Sequence, residues 1–285
     1  MYIYYKPKQR VCKEKRLSKL IEQNVSINFS KVQKLIREKN VKVNGKRTGE
    51  DVLVRQGDLV EVYLPETKLN IFYEDGDIIV VFKPRKIETI NESGDSLLDA
   101  LEKQKNAKLF AVHRLDRNTE GLVVFAKNME AKNSLDEAFK NRTIHKYYLA
   151  LVAGVPATKQ DDLVAYLKKD EANSLVTVSD KKGDGFEEIK TNYKVIKENE
   201  NSAVLEVELL TGKTHQIRAH LAHIGYPIIG DEKYGNSKLN KQFSKRFQCL
   251  CAYKLVFDFE PGNYLAQLSS KIIEIDKNNI DFFKN

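Results

Sequence analysis

No run of apolar residues in this 285-residue chain approaches the roughly 18 that a membrane-spanning helix needs. The opening residues, Met1-Tyr2-Ile3-Tyr4-Tyr5-Lys6-Pro7-Lys8, lack the apolar stretch of a secretory signal. Cysteine is scarce: Cys12, Cys249 and Cys251 form an odd set, without the two spaced pairs that a zinc knuckle or disulfide framework requires. These absences exclude a helical membrane protein, a disulfide-stapled secreted domain and a cysteine zinc module. They lead us to expect a cytoplasmic protein with no membrane partner. What is present, 41% hydrophobic and 31% charged residues, supplies a folded core with room for one large domain and one small one.

The net charge of +8 is unevenly spread. Residues 1–66 carry a net +7 and the remaining residues only +1. A small basic segment joined to a near-neutral body points to a polyanion-binding module attached to something else.

Within that segment, Leu17, Leu20 and Ile21 have the i, i+3, i+4 spacing of one buried helical face. Ser30 with Gln33 reads as a capping box, and Val32, Leu35 and Ile36 repeat the helical spacing. Lys31, Lys34 and Arg37 share a sector of this second helix away from the apolar stripe. Val41-Lys42-Val43-Asn44-Gly45-Lys46 is an alternating strand ending in an Asn-Gly hairpin turn, and Gly57-Asp58 opens another strand over 59–63. Residues 65–69 read as a linker.

Beyond it, Asp77-Ile78-Ile79-Val80-Val81-Phe82 is a continuous apolar run, a strand buried on both faces, halted by Lys83-Pro84. Ser96 caps a short helix carrying Leu97, Leu98 and Leu101. Two apolar runs, 109–112 and 122–126, flank His113-Arg114-Leu115-Asp116-Arg117-Asn118-Thr119-Glu120-Gly121, which reads as strand, tight loop, strand. Such a loop lifts Asp116 off a rigid base with an arginine on each side, and guanidinium neighbours keep a carboxylate ionised and aimed. The residues alone also allow a surface turn whose Asp and Arg side chains merely pair with each other. Leu135, Ala138 and Phe139 mark a helix, and His145–Val152 a strand whose alternation puts Lys146, Tyr148 and Ala150 on one face. Residues 156–190 are polar and irregular, read as a flexible excursion with one or two short strands and no chemistry. Residues 193–196 and 203–210 form a further β pair. His220 and His223 could share a helical face, but no ligand-spaced carboxylate accompanies them and Arg218 would oppose a cation, so no metal is expected.

Two resemblances organise these elements. Two helices, a hairpin with Val-x-Val-Asn-Gly-Lys, and Gly-Asp before a strand resemble the S4 RNA-binding domain. That resemblance places Lys31, Lys34, Arg37 and Lys42 near RNA phosphates, where they give affinity without sequence readout. His-Arg-Leu-Asp-x-x-Thr-x-Gly resembles the signature of the RluA/RluD-type RNA pseudouridine synthases, with Glu120 where Ser is usual. The strand ending at Lys83-Pro84 resembles that family's first motif, although the Gly that normally follows is absent and Arg85-Lys86 stand there instead. Lys146-x-Tyr148-x-Ala150 resembles its second motif. The stretch from Leu210 through Thr211-Gly212-Lys213-Thr214-His215-Gln216-Ile217-Arg218-Ala219-His220-Leu221, continued by Pro227–Asp231 and Tyr234-Gly235, resembles its third. Residues 249–257 resemble a core strand of the family, with Cys251 where His is common.

The resemblance implies an α+β pseudouridine synthase fold, with a mixed, mainly antiparallel central sheet and flanking helices, over 67–285. A small α/β S4-like domain would occupy 1–66. It implies an isomerase that detaches uracil at N1 and rejoins it through C5, with Asp116, Tyr148 and Arg218 as catalytic residues, Arg218 pairing with Asp116, and Arg114 filling the space a flipped base leaves. Whether Asp116 attacks the sugar, attacks the base or abstracts a sugar proton stays open. No cofactor is implied, because uracil keeps all its atoms. The expected partner is RNA, ribosomal before transfer RNA, and the expected state is a monomer. The rival readings are a catalytically inactive RNA-binding protein, which would be expected to lack one of the three residues, and a His-based metal hydrolase.

Overall fold

A computed structural model describes residues 3–5, 14–24, 29–64, 68–92, 94–170, 175–245 and 247–284. The chain divides into two compact units, Met1–Lys68 and Leu69–Asn285. Cys12 and residues 65–67 of the expected linker lie outside the described residues, whereas Leu69 is buried in the larger unit.

The smaller unit contains β1 (Ile3–Tyr5), β2 (Lys15–Arg16), α1 (Leu17–Asn24), α2 (Phe29–Arg37), β3 (Val41–Val43), β4 (Lys46–Thr48), β5 (Leu53–Val54) and β6 (Val60–Leu64). Strands order as β1-β6-β3-β4, and β2 pairs with β5. Leu17, Leu20 and Ile21 pack with Val32, Leu35 and Ile36 over Val41, Val60 and Val62, so the helical spacing in the sequence does become the core. Asn44 and Gly45 both have positive φ, +51° and +79°, as the two central residues of a tight hairpin require. Asn44 is further tied by its side chain to Asp58 Oδ1 (2.8 Å) and by accepting from Leu59 N (2.9 Å). Ser30 is not a cap: Phe29 is already helical, so Ser30 sits inside the first turn. Lys31, Lys34 and Arg37 are exposed. Lys42 and Arg47 each hold their charge 5.0 Å from the centre of the Tyr63 ring.

The larger unit is one mixed sheet with helices on both faces. Its elements are β7 (Ile71–Glu74), β8 (Ile78–Lys83), α3 (Leu97–Lys105), β9 (Phe110–Ala111), β10 (Glu120–Ala126), α4 (Met129–Asn141) and β11 (Ile144–Ala153). They continue as β12 (Gln160–Asp170), β13 (Leu175–Ser179), β14 (Glu187–Asn199), β15 (Ser202–Leu209), α5 (Gln216–His223), α6 (Ser237–Gln242), β16 (Leu250–Phe257), β17 (Ile272–Glu274) and α7 (Asp281–Lys284). Strand order is β13-β12-β14-β15-β11-β16-β10-β8-β7, with β17 on β16 and β9 on β10. All pairings are antiparallel except β10 with β16.

The continuous apolar runs are explained by cores on both faces. Ile78, Val80, Leu122 and Val124 face α4, where Leu135 and Ala138 are buried. Ile79, Val81, Val123, Phe125, Tyr148 and Ala150 face the other way, against Leu97 and Leu101 of α3 and Ile217 and Leu221 of α5. Ser96 caps α3 through a reciprocal box with Asp99.

Two further sequence expectations need correcting. Residues 156–190 are largely ordered sheet: β12 pairs with β14 over eight residues and with β13 over five. This edge buries Ala165, Leu167, Val176 and Ile189 on one face only, so its polar outer positions mask the strand pattern. The central loop is also longer than a tight turn, and Gly121 lies within β10 rather than ending the loop. Gly121 has φ +129°, and a Cβ there would overlap the backbone of Ala252 on the parallel strand β16. Only glycine allows that approach. Gly121→Ala is therefore expected to cost at least about 3 kcal/mol and to displace the loop that carries Asp116. A chemical melt checks this, and a loss under about 1 kcal/mol would mean that the two strands separate cheaply.

No helix among the described residues is long and apolar enough to cross a membrane.

Candidate active site

The topology brings three points to one end of the sheet. β10 starts beside Cys251 and Ala252, Tyr148 of β11 is registered with Ala252 and Val207, and β15 ends at Leu209 next to the loop that leads into α5. A cavity of about 480 Å³ opens there, lined by residues of the 112–119 loop, the end of α4, β11 and the 209–218 segment.

Asp116 is half-buried on the cavity wall and accepts from Arg218 Nη1 at 3.0 Å. Neither flanking arginine makes that contact. Arg114 is exposed, and Arg117 Nε donates to Lys86 O at 3.3 Å. Arg218, on the first turn of α5, is only 7% exposed and is gripped from behind by Asp231. Its Nε and Nη2 donate to the two oxygens of Asp231 at 2.7 and 3.0 Å. Such a two-toothed pairing fixes the guanidinium plane and leaves Nη1 for Asp116. Burial alone would raise the Asp231 carboxyl, but Arg218 and the Lys233 and Tyr234 amides hold it below the usual carboxylate range. The same carboxylates hold Arg218 above its ordinary value despite burial.

Tyr148 is 5% exposed and faces the cavity from the floor. Burial, then the Asp116 charge, pushes its phenol pKa up, so it is a neutral aromatic platform at physiological pH. Lys146 shares its face and also lines the cavity, while Tyr147 packs on the opposite side.

The Asp116 loop is held rigid from several sides. The Thr89 hydroxyl accepts from Leu115 N (3.1 Å) and donates to Leu115 O (3.3 Å). Thr119 N closes onto Asp116 O at 3.0 Å, and Gln248 donates to the Thr119 hydroxyl. His113 Nε2 accepts from Val124 N at 3.0 Å, and burial drives its pKa down to about 3, so the ring stays neutral. Lys83 is fully buried and donates to the carbonyls of Pro84, Ile87 and Arg117 at 3.1, 2.8 and 3.1 Å. Burial lowers it to about 8, opposed by Asp116, Glu120 and Glu88. Lys83 was legible only as the residue that ends an apolar run; its position on the Ile79 and Val81 face was the overlooked signal.

Of the two departures from the family pattern, Glu120 is answered by a charge from the first motif and Lys86 is accommodated by the backbone. Arg85 forms an ion pair with Glu120, both side chains mostly shielded from solvent. Lys86, at the position of the missing Gly, has φ +71°, its amide donates to Arg117 O at 2.9 Å, and its ammonium lies 4.6 Å from the centre of the Phe247 ring. Glu120 therefore points into a charge pair under the loop.

The remaining third-motif residues brace this centre. Gln216 accepts from Thr211 Oγ1 and Lys213 N and donates to Lys190 O and Thr191 Oγ1, all within 3.1 Å. His215 bonds Tyr234 Oη through Nδ1 (2.8 Å), and its Nε2 stands 3.8 Å from Asp116. Burial lowers the His215 pKa, with Asp116 pulling the other way. The Tyr234 hydroxyl also accepts from Val176 N at 2.9 Å, so the sheet edge around 175 supports the site. His220 and His223 turn to different partners, Thr191 and Asp180. No group of three or more His, Cys, Asp or Glu among the described residues could hold a metal ion.

Comparison with known proteins agrees with this arrangement. The pattern of the RNA pseudouridylate synthase family matches residues 77–223. The chain is 34% identical over 254 residues to the ribosomal large subunit pseudouridine synthase C of Rickettsia bellii, covering 79% of this chain and 82% of that one. It is 32% identical over 240 residues to an uncharacterized RNA pseudouridine synthase of Mycoplasma genitalium, covering 78% of each. The fold is similar to that of human RNA pseudouridylate synthase domain containing 1, with a TM-score of 0.59 at 23% identity, over 74% of this chain and 91% of that one. Together with the mixed, mainly antiparallel sheet, these matches establish that the chain belongs to the RNA pseudouridylate synthase family, isomerases that convert uridine to pseudouridine in RNA.

Proposed function

We propose that this enzyme isomerises a specific uridine in large-subunit ribosomal RNA, with Asp116 as the residue that carries the chemistry. The observation that supports it is the Asp116 carboxylate, half-buried at a cavity and fixed by an arginine that Asp231 locks from behind. In the reaction the C1′–N1 bond breaks, the uracil turns, C1′ bonds to C5, and the C5 proton is lost while N1 gains one. Asp116 suits a step that needs a carboxylate at a set position, and the bond from Arg218 keeps it aimed. Tyr148 stacks on the flipped uracil, and Arg114 reaches into the space that the base leaves, offsetting an unstacking cost of a few kcal/mol.

The ribosomal assignment rests on relatives named as large-subunit synthases, among them those of Rickettsia bellii and Vibrio parahaemolyticus. Mapping pseudouridines by carbodiimide and primer extension in a strain lacking the gene, and in strains restored with wild-type or Asp116→Ala protein, tests it. A ribosomal site that vanishes and returns only with wild type supports the reading. A site found only in transfer RNA corrects the substrate.

We assign residues 1–66 as an S4-like RNA-binding domain and 67–285 as the synthase domain. Lys31, Lys34, Arg37 and Lys42 would meet phosphates. Replacing all four with Ala is expected to reduce the slope of log affinity against log salt by about 3. An unchanged slope would remove the S4 assignment.

A further inference from the structure

The cations around the cavity fall into two groups. Arg218 is committed to Asp231 and Asp116, and Lys213 to Glu187. Arg114 of the loop and Lys140, Arg142 and Lys146, from the end of α4 and the start of β11, have no carboxylate in ion-pair range among the described residues. Lys140 and Arg142 are exposed and water can solvate them, whereas Lys146 lies deeper. Its ammonium stands 5.3 Å from the centre of the Phe139 ring and reaches the Thr211–Lys213 loop, where a Cβ on Gly212 would be 3.8 Å away. Burial, with Arg142 beside it, pulls its pKa down to about 8. A desolvated cation with cationic neighbours and no counter-charge is unfavourable until an anion arrives.

Position decides which anion. Lys146 and Tyr148 are two residues apart on one face of β11, so their backbones are ~7 Å apart along the strand. That matches the reach from a nucleobase to its own phosphate. We propose that Lys146 is a phosphate-binding residue of this site: its ammonium takes the backbone phosphate of the nucleotide whose uracil lies against Tyr148, while Lys140 and Arg142 guide the adjoining backbone. The inference rests on the cavity receiving a flipped uridine. It adds a group that holds the sugar end of the nucleotide while the base is cut loose and turns, so that C1′ stays in place for C5.

The test uses the full chain and RNA from a strain lacking the gene, grown on uracil tritiated at C5. Every natural substrate is then present unmodified, and each isomerisation releases the label. Single-turnover release is measured against enzyme concentration at several salt concentrations for wild type, Lys146→Met, Lys146→Gln and Lys146→Arg. Met and Gln are expected to raise the half-saturating concentration about tenfold and to flatten the salt slope by about one, with maximal rate changed less than about threefold. Arg should restore most of both. Two different neutral replacements guard against one failing to fold, which a thermal melt reads directly. Unchanged half-saturation and slope, with the loss confined to maximal rate, would overturn the inference and make Lys146 a group acting on the base. If wild type itself releases no label, the flipped-uridine reading fails and the inference goes with it.

Discussion

Asp116→Ala is expected to lower the single-turnover rate of pseudouridine formation by at least about 10⁴-fold, the scale of losing a group on which the chemistry depends. Stability should change little. The substitution leaves Arg218 with both of its bonds to Asp231, so no buried charge is stranded. The loop keeps its ties from Thr89, Lys83 and Gln248, none of which uses the Asp116 side chain. RNA affinity should hold within a few-fold. A melting temperature within a few degrees of wild type, together with lost turnover, is the expected pair of results. A residual rate within tenfold of wild type would mean that Asp116 is only a well-paired loop residue. Asp116→Asn separates charge from shape: it keeps an acceptor for Arg218 Nη1 but no anion, and should be nearly as inactive as Ala.

Arg218→Met has the opposite signature, because it damages fold and activity together. The Asp231 side chain is fully shielded from solvent and, among the described residues, would keep the Lys233 and Tyr234 amides as partners. Removing one half of a buried pair costs about 3–5 kcal/mol, which in a chain of this size lowers the melting temperature by roughly 5–15 °C. The pH dependence follows from Asp231. Its pKa in the folded enzyme lies below the ordinary 3.8, so the pair contributes stability above that value and loses it as pH falls through the folded pKa. In the Met variant the buried carboxyl instead gains from protonation. The gap between the two melting temperatures should therefore narrow as pH drops from neutral towards and below 3.8. Arg218→Met combined with Asp231→Asn should recover much of the stability and none of the activity. A double variant as unstable as the single one would show that the guanidinium contributes by packing rather than by answering Asp231.

The replacement of the family's usual Ser by Glu120 and of its usual Gly by Lys86 illustrates how a sequence departure is understood only in three dimensions. Read singly, Glu120 adds a negative charge beside the RNA path, and the loss of Gly after Arg85 removes a flexible position. In the folded chain Glu120 pairs with Arg85, and Lys86 takes up the positive φ itself. Neither member of the Arg85–Glu120 pair carries a local signal of the other, since 35 positions separate them.

The sequence by itself determined the elements whose signals are local. The helical spacing of Leu17, Leu20, Ile21 and of Val32, Leu35, Ile36, the Asn44-Gly45 turn, and the unbroken apolar runs of β8 and β10 each specify backbone and buried face within a few residues. The stretches around Asp116, Tyr148 and Arg218 stood out through their resemblance to the synthase motifs, since the residues alone also allowed a paired surface turn. Tertiary structure alone decided the rest. It set the 102-residue span from Asp116 to Arg218, the grip of Asp231, the burial of Lys83 against three carbonyls, and the edge ladder of β12 and β13. The physical reason is common to all four. Hydrophobic periodicity reports which face of an element leaves water, but a buried charge or a half-solvated edge strand is stabilised by partners far along the chain, which only the assembled sheet brings within hydrogen-bonding distance.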